Sequence, residues 1–259
     1  MRVTILGSGS EGNVLLLESD TTNIVVDAGL SHRRLVARFE ALGRTPPAIS
    51  AVLITHEHGD HAAHASVYAS RLSCPVYATA STAASLRLRA GTPITRFIPG
   101  RSFQIGDITI RSRTVPHDAP QVALVFETHA TSVGLVTDLG HVPNGLGRFL
   151  ERCDTLLLES NHDAELLKIG PYPPSLKQRV GGPHGHLSNE QASDLLAELS
   201  HAPSWVVLMH LSETNNSMRL ARASAEAALG HRGTKLLVAR QREPLELPFV
   251  GGRQLQLGL

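Results

Sequence analysis

Short runs of Val, Ile and Leu, each closed by Gly, Asp, Asn or Pro, recur along the chain. Val3–Leu6, Val14–Leu17, Ile24–Val26 and Val52–Ile54 open the series, and runs bounded in this way read as strands. Between them, apolar residues fall at helical spacing in Ser31–Leu42, His61–Leu72 and Thr79–Leu88, with Ser31 placed to cap the first. A second series of strands follows at Phe103–Ile105, Ile108–Val115, Val122–Phe126, Val133–Thr137, Thr155–Leu158 and Val206–Met209. Helical patterns cover Gly145–Glu151, Asp163–Ile169, Asn189–Ser200 and Asn216–Leu229. Two strand-rich halves with helices outside them imply two sheets packed face to face. The expected fold is therefore α/β (α+β), a four-layer αββα sandwich in one domain over residues 1–259. No internal repeat, low-complexity tract or linker interrupts it, and Gly170–Gly185 is the one long irregular stretch, a length at which loops tend to be functional.

Composition narrows the function. The 259 residues are 42% hydrophobic and 18% charged, which suits a packed globular chain without a disorder signature. A formal net charge of +1 gives no global pull toward a polyanion, so any such binding must come from a local group of Lys and Arg. The start of the chain lacks a basic and apolar leader, and no apolar run approaches the length of a membrane span. A cytoplasmic protein with no membrane partner is expected. Cys74 and Cys153 read as buried, reduced thiols rather than a disulfide framework. His numbers 14 while aromatic residues make up only 4%. The abundant reactive side chain is imidazole, and that points to metal.

Gly7-Ser8-Gly9-Ser10-Glu11-Gly12 matches the dinucleotide fingerprint G-x-G-x-x-G after a strand. That fingerprint works only when a helix starts at its third glycine and offers its N-terminus to a pyrophosphate. Here Asn13 and the apolar run Val14–Leu17 follow, so the glycines are expected to serve a tight hairpin.

Thr55-His56-Glu57-His58-Gly59-Asp60-His61 is the strongest signal, three imidazoles and a carboxylate directly after the strand Ala51–Ile54. Asp60 also stands where it could cap a helix beginning at His61. One loop cannot fill a metal site, so further donors are sought at other strand ends. His117 follows Thr114-Val115-Pro116, Asp138 follows Val133–Thr137, and His210 follows Trp205–Met209. Each can meet the His56 loop on one rim of the sheets. Donor counting assigns His56, His58 and His117 to one ion, Asp60, His61 and His210 to a second, and Asp138 as a bridge. This nitrogen and oxygen set suits Zn²⁺, Mn²⁺ or Fe²⁺. Asp27, after Ile24–Val26, is a candidate to orient the ligand loop. Such a site hydrolyses esters, thioesters, lactams or phosphodiesters by activating water.

The H-x-H-x-D-H loop and the later His117, Asp138 and His210, in that order, resemble the metallo-β-lactamase superfamily over nearly the whole chain. Within it, Gly7–Asn13, Val115-Pro116-His117-Asp118-Ala119, Leu157–Asp163, Gly185–Asn189 and His210-Leu211-Ser212 are similar to the YycJ (WalJ) group of bacterial proteins. The resemblance implies a 5′-to-3′ DNA exonuclease acting in replication or mismatch repair, usually with manganese, on 5′ ends of duplex or single-stranded DNA. Gly185-His186-Leu187-Ser188 also resembles the G-H-T-S segment of tRNA 3′-processing phosphodiesterases. By that likeness His186, oriented by Glu159, protonates the leaving oxygen, while Asp60 helps deprotonate the attacking water and two divalent ions, Mn²⁺ or Zn²⁺, hold the phosphate.

Other readings remain at this stage. Ser188 with Gln191 can form a capping box that leaves His186 in a plain loop. His162 is a weaker candidate for the site, and His64 and His184 read as bystanders. The basic residues Arg33, Arg34, Arg71, Lys177 and Arg179 are scattered and suit a solvated surface. Fewer than 75 residues part Asp138 from His210, which leaves no room for a nucleic-acid clamp domain. A small-molecule phosphodiesterase or thioester hydrolase therefore stands as the alternative, and a module binding metal or dinucleotide without turnover as the third reading.

Overall fold

A computed structural model describes residues 1–248. Its first half runs β1 (Arg2–Gly7), β2 (Val14–Glu18), β3 (Asn23–Val26), α1 (His32–Ala41), β4 (Ala51–Leu53), α2 (Gly59–Ala62), α3 (Ala65–Arg71), β5 (Val76–Thr79), α4 (Ala80–Ser85) and β6 (Ile94–Phe97). The second half runs β7 (Phe103–Ile105), β8 (Ile108–Val115), β9 (Gln121–Glu127), β10 (Ser132–Val136), α5 (Leu146–Leu150), β11 (Thr155–Glu159), α6 (Ala164–Ile169), α7 (Pro174–Val180), α8 (Asn189–Glu198), β12 (Trp205–Met209), α9 (Met218–Leu229), β13 (Lys235–Val238) and β14 (Leu245–Glu246).

The strands form two sheets, ordered β14-β1-β2-β3-β4-β5-β6 and β13-β12-β11-β10-β9-β8-β7. In the first, β1, β2 and β3 pair antiparallel and β3 to β6 parallel. In the second, β10 to β13 pair parallel and β10, β9, β8 and β7 antiparallel. Alternation of side chains decides the layers. Val3, Ile5, Leu15, Leu17, Val26 and Leu53 from one sheet pack with Ile110, Leu124, Phe126, Leu135, Leu157 and Val207 from the other. The opposite faces meet helices: Leu16, Val25 and Val52 meet Leu35 and Phe39 of α1 and Tyr68 of α3. Leu156, Leu158 and Leu208 likewise meet Leu195 and Leu196 of α8 and Ala225 of α9. Strands covered on both faces are apolar without alternation, which is why they read as continuous runs.

Strand direction positions the site. β1 and β3 both pair antiparallel with β2, so they point the same way as each other and as β4. By the same reasoning β8, β10, β11 and β12 run together in the second sheet. Their carboxyl ends carry Glu159, the last residue of β11, and in the segments that follow Ser8, Asp27, His56, His117, Asp138 and His210, and those ends are where open α/β sheets bind ligands.

Several expectations need correction. The helix expected over His61–Leu72 is two, α2 and α3, because the carbonyl of His61 accepts from the amide of Ala28 at 2.6 Å and the amide of His64 donates to the carbonyl of Ala28 at 2.9 Å. Those groups are thereby lost to the helical ladder. α2 begins at Gly59, so Asp60 lies inside its first turn and is not its cap. Thr79 caps α4 through its hydroxyl rather than lying within it. β5 and β6 escaped notice because each is short and β6 exposes its two central residues. α7 lies inside the stretch read as irregular; it buries no residue and so shows no amphipathic pattern. β13 and β14 are also additions. Both thiols are buried and free as expected, and burial pushes Cys74 up to about 11 and Cys153 up to about 12.

Gly29 follows β3 and packs against the metal loop so closely that a Cβ there would lie 1.8 Å from the carbonyl oxygen of Asp60. Backbone on both sides cannot yield cheaply. Gly29→Ala should therefore cost about 1–3 kcal/mol, as overpacking does, read from the urea midpoint. Gly59→Ala is the control: a Cβ at that helical position meets nothing within 4 Å, and stability should hold or rise.

Candidate metal centre

Among the described residues, three of the four non-glycine positions with left-handed backbone sit at this rim: Asp27 (φ 63°), Asp138 (φ 57°) and His210 (φ 56°). Asp27 and His210 come immediately after β3 and β12, and Asp138 two residues after β10. Asp and His tolerate this region better than most residues, yet it still costs about 1–2 kcal/mol each. It turns the chain sharply, and the side chains of all three are buried among the site groups.

Seven expected ligands fall into two adjoining clusters. His56, His58 and His117 each offer an atom to one, and Asp60, His61, Asp138 and His210 to the other, with donor atoms in each within 4.8 Å of one another. Donor counting made Asp138 a bridge between the sets; here it groups with Asp60, His61 and His210. The clusters touch, since the rings of His56 and His61 have centroids 4.3 Å apart.

Each imidazole is held from behind. His61 Nδ1 donates to Asp27 Oδ2 at 2.7 Å. Thr55 donates its hydroxyl to the same Asp27 carboxylate at 3.0 Å and lies 3.1 Å from His56 Nδ1, which donates in turn. His117 Nδ1 donates to the carbonyl of Gly185 at 3.1 Å. His58 Nε2 faces Asp118 Oδ1 at 3.2 Å, while its Nδ1 lies 3.3 Å from His117 Nε2. His210 Nδ1 and His186 Nδ1 both donate to Glu159 Oε1 at 2.9 Å. A neutral imidazole carries one N–H, so fixing it on the outer nitrogen leaves the inner one a bare lone pair.

The residues fit a divalent cation on the chemistry of what is left over. Nε2 of His56, Nε2 of His210 and Oδ2 of Asp138 are buried and make no hydrogen bond, a costly condition for three neighbouring polar atoms unless a cation serves them. All donors are nitrogen or oxygen, which suits Zn²⁺, Mn²⁺ or Fe²⁺. Asp138, Glu159, His186 and His210 also gather closely, but Glu159 has no vacancy: Oε2 accepts from the amides of Leu139 and Leu187 at 3.1 and 3.0 Å, and Oε1 from the two imidazoles. It orients rather than ligates.

Electrostatics follow from these contacts. Burial disfavours the charge on Glu159, and His186 and His210 more than offset it, holding the carboxyl at about 2. Burial likewise opposes protonation of His210, but Asp138, Asp60 and Glu159 lift it to about 10 without metal. His61 is raised for the same kind of reason, by Asp138 and Asp27 against burial. His56, with burial dominant and other imidazoles beside it, is pushed well down. Burial works against Asp60 too, and the imidazoles of His210 and His61, each 3.5 Å from its Oδ2, keep it below the usual carboxylate range.

Three contributors were missed. Asn13 Oδ1 accepts from the amide of Gly9 at 2.8 Å, which aims Nδ2 at Asp60 Oδ2, 3.2 Å away. Ser8 Oγ accepts from the amide of His210 at 2.8 Å. The glycine run of the first loop thus leads into β2, as its hairpin reading required, and braces the centre instead of holding a dinucleotide. Asp118, beside His117, fixes His58; its adjacency to a ligand was the available signal. Ser188 and Gln191 do form a capping box, and this leaves His186 free to bond Glu159. His162 is buried but belongs to neither donor cluster.

The chain belongs to the β-lactamase superfamily: residues 22–211 match the family described as "Beta-lactamase superfamily domain". Its fold is the metallo-β-lactamase fold, which it shares with YhfI from Bacillus subtilis at TM-score 0.73 and 19% identity, covering 95% of this chain and 98% of that one. Among sequences, it is 34% identical over 239 residues to exodeoxyribonuclease YycJ of Bacillus anthracis, covering 90% of each chain. It is 35% identical over 243 residues to exodeoxyribonuclease WalJ of Streptococcus pneumoniae serotype 2, covering 88% of this chain and 90% of that protein. It is a YycJ-like member of the superfamily. No helix among the described residues is long and apolar enough to cross a membrane.

Two outcomes test the centre. Glu159→Gln would turn an amide N–H toward either two backbone N–H groups or two imidazoles, so metal affinity should fall about 10- to 100-fold, measured by competition with a chromogenic chelator. Saturating the chelator-stripped protein with Mn²⁺ or Zn²⁺ at a hundred times the dissociation constant should add about 2.7 kcal/mol to its stability, seen as a rise in melting temperature that EDTA reverses.

Proposed function

We propose that this chain is a metal-dependent exonuclease that degrades DNA from 5′ ends, acting as a single domain with two divalent ions, manganese or zinc. The observation that carries the reading is 34–35% identity to two exodeoxyribonucleases over most of the chain, in a protein whose donor groups form two adjoining sets beside a carboxylate-held imidazole. His56, His58 and His117 would hold one ion and Asp60, His61 and His210 the other, with Asp138 between them. Bound divalent ions supply Lewis acidity, lowering the pKa of water and stabilising negative charge on a phosphoryl oxygen.

The chain's own groups do the rest. Asp60, braced by Asn13, offers a carboxylate oxygen that can take the proton of an attacking water. His186 has Nδ1 tied to Glu159 and Nε2 turned from that bond, where it can deliver a proton to the leaving oxygen. Its ring lies 5.4 Å from that of His117 and 5.2 Å from that of His210, centroid to centroid, so it reaches over both donor sets. The resemblance to the YycJ group supports a cytoplasmic role in replication or mismatch repair beside other proteins of those processes.

A second reading, hydrolysis of a small phosphodiester or thioester, is favoured by the net charge of +1 and by a span between Asp138 and His210 that holds only α5, β11 and α6 to α8 before β12. Incubating pure protein with Mn²⁺ and duplexes labelled at the 5′ or 3′ end separates the two, with bis-p-nitrophenyl phosphate and thioesters assayed alongside. Nucleotide release from the 5′ end is expected; intact DNA with metal bound would reject the nuclease reading. His186→Ala should lower kcat about 10²- to 10⁴-fold, the range for one general acid, while metal content by mass spectrometry stays the same.

A further inference from the structure

Arg179 near the end of α7 was read as ordinary surface, yet it is built into the rim of the metal centre from two sides. Its Nε and Nη2 each lie 2.7 Å from Asp118 Oδ2, while Asp118 Oδ1 lies 3.2 Å from His58 Nε2 and 3.3 Å from His117 Nε2. One carboxylate therefore separates the guanidinium from the first donor cluster. The backbone is fixed as well: the amide of His186 donates to the carbonyl of Val180 at 2.9 Å. Gly185 fits so tightly beneath the helix end that a Cβ on it would lie 2.2 Å from the carbonyl oxygens of both Arg179 and Val180. The guanidinium thus reaches the His58–His117 pair through Asp118, from a helix end whose backbone is tied to the segment that carries His186.

Most of its capacity is unspent. The side chain is 62% exposed, and among the described residues no hydrogen bond reaches Nη1. An exposed ion pair contributes little to stability, so the fold gains little from placing it here. Arg179 also has company. Lys168 and Lys177 lie on the same α6–α7 projection, where Lys177 Nζ donates to the carbonyl of Lys168 at 2.6 Å, and α7 buries nothing. A chain with net charge +1 needs such a local cation group to hold a polyanion.

We infer that Arg179, steered by Asp118, binds a phosphate adjacent to the scissile one, and that the site therefore selects a polynucleotide over a diester with a single phosphate. The inference rests on the phosphodiesterase reading above. A guanidinium presents a planar fork matched to phosphate oxygens. Its Nη edge can take the neighbouring phosphate while Nε stays on Asp118.

The test compares wild type, Arg179→Ala and Arg179→Lys. Binding of a fluorescent oligonucleotide to the chelator-treated protein is followed by anisotropy across a salt series, and KM and kcat are measured with Mn²⁺ on the oligonucleotide and on bis-p-nitrophenyl phosphate. Arg179→Ala should weaken oligonucleotide binding roughly tenfold or more and flatten the salt slope by roughly 0.7–0.9, one phosphate's share. It should raise KM on the oligonucleotide with little change in kcat, and leave the single-phosphate substrate and metal content unaltered. Arg179→Lys should restore the salt slope without full affinity. Equal effects on both substrates, or loss of metal from Arg179→Ala, would reduce Arg179 to a prop for Asp118 and overturn the inference alone. Wild-type protein that neither binds nor degrades the oligonucleotide would overturn the proposed function with it.

Discussion

The site depends on one recurring contact: an oxygen that takes the outer ring proton of each imidazole. Asp27 takes it from His61 and, through Thr55, orders His56; the carbonyl of Gly185 takes it from His117, Asp118 from His58, and Glu159 from His210 and His186. Without those acceptors the six rings could turn or change tautomer, and the inward lone pairs would no longer converge. With them, polar atoms are left buried and unpaired at the centre. The fold sustains that cost because a cation can satisfy them together.

The sandwich makes the arrangement possible by aligning strand ends. Residues delivered from β3, β4, β8, β10, β11 and β12 are distant in sequence but leave the sheets along one rim. Leu157 and Val207 share one buried core with Leu53 and Val26 of the other sheet, which joins the two sets of strand ends into one rim. Left-handed turns at Asp27, Asp138 and His210 convert a strand end directly into a functional side chain. Backbone strain of this sort persists where the surrounding structure overdetermines it. Here Glu159 supplies part of that determination, bonding the amides of Leu139 and Leu187 as well as the two rings.

The same economy governs the perimeter. The first loop closes with Gly12 donating to the carbonyl of Gly9 at 2.9 Å, and through Ser8 and Asn13 it supports His210 and Asp60 rather than a nucleotide. On the opposite side, the end of α7 is tied to the rim where the carbonyl of Val180 accepts from the amide of His186, and this leaves Arg179 beside Asp118. Residues that carry no donor cluster of their own thus decide how the donors sit.

Much was legible beforehand, and the division has a physical reason. Apolar runs gave the sandwich because strands covered on both faces must be apolar, and the H-x-H-x-D-H loop with His117, Asp138 and His210 gave both donor sets because ligand types are few and strand ends are recognisable. Short or exposed elements left no such trace: β6 shows two exposed central residues, α7 buries none, and the break between α2 and α3 is made by the amide and carbonyl of Ala28, remote in sequence. By itself, then, the sequence determined which groups could bind a metal and which segments would form strands covered on both faces, since both are properties of residue type and of short apolar runs. Only the tertiary structure decided which oxygen holds each ring, that Glu159 serves two imidazoles at once, and that Arg179 stands beside the centre, because hydrogen bonds between distant segments depend on where the packed sheets bring them.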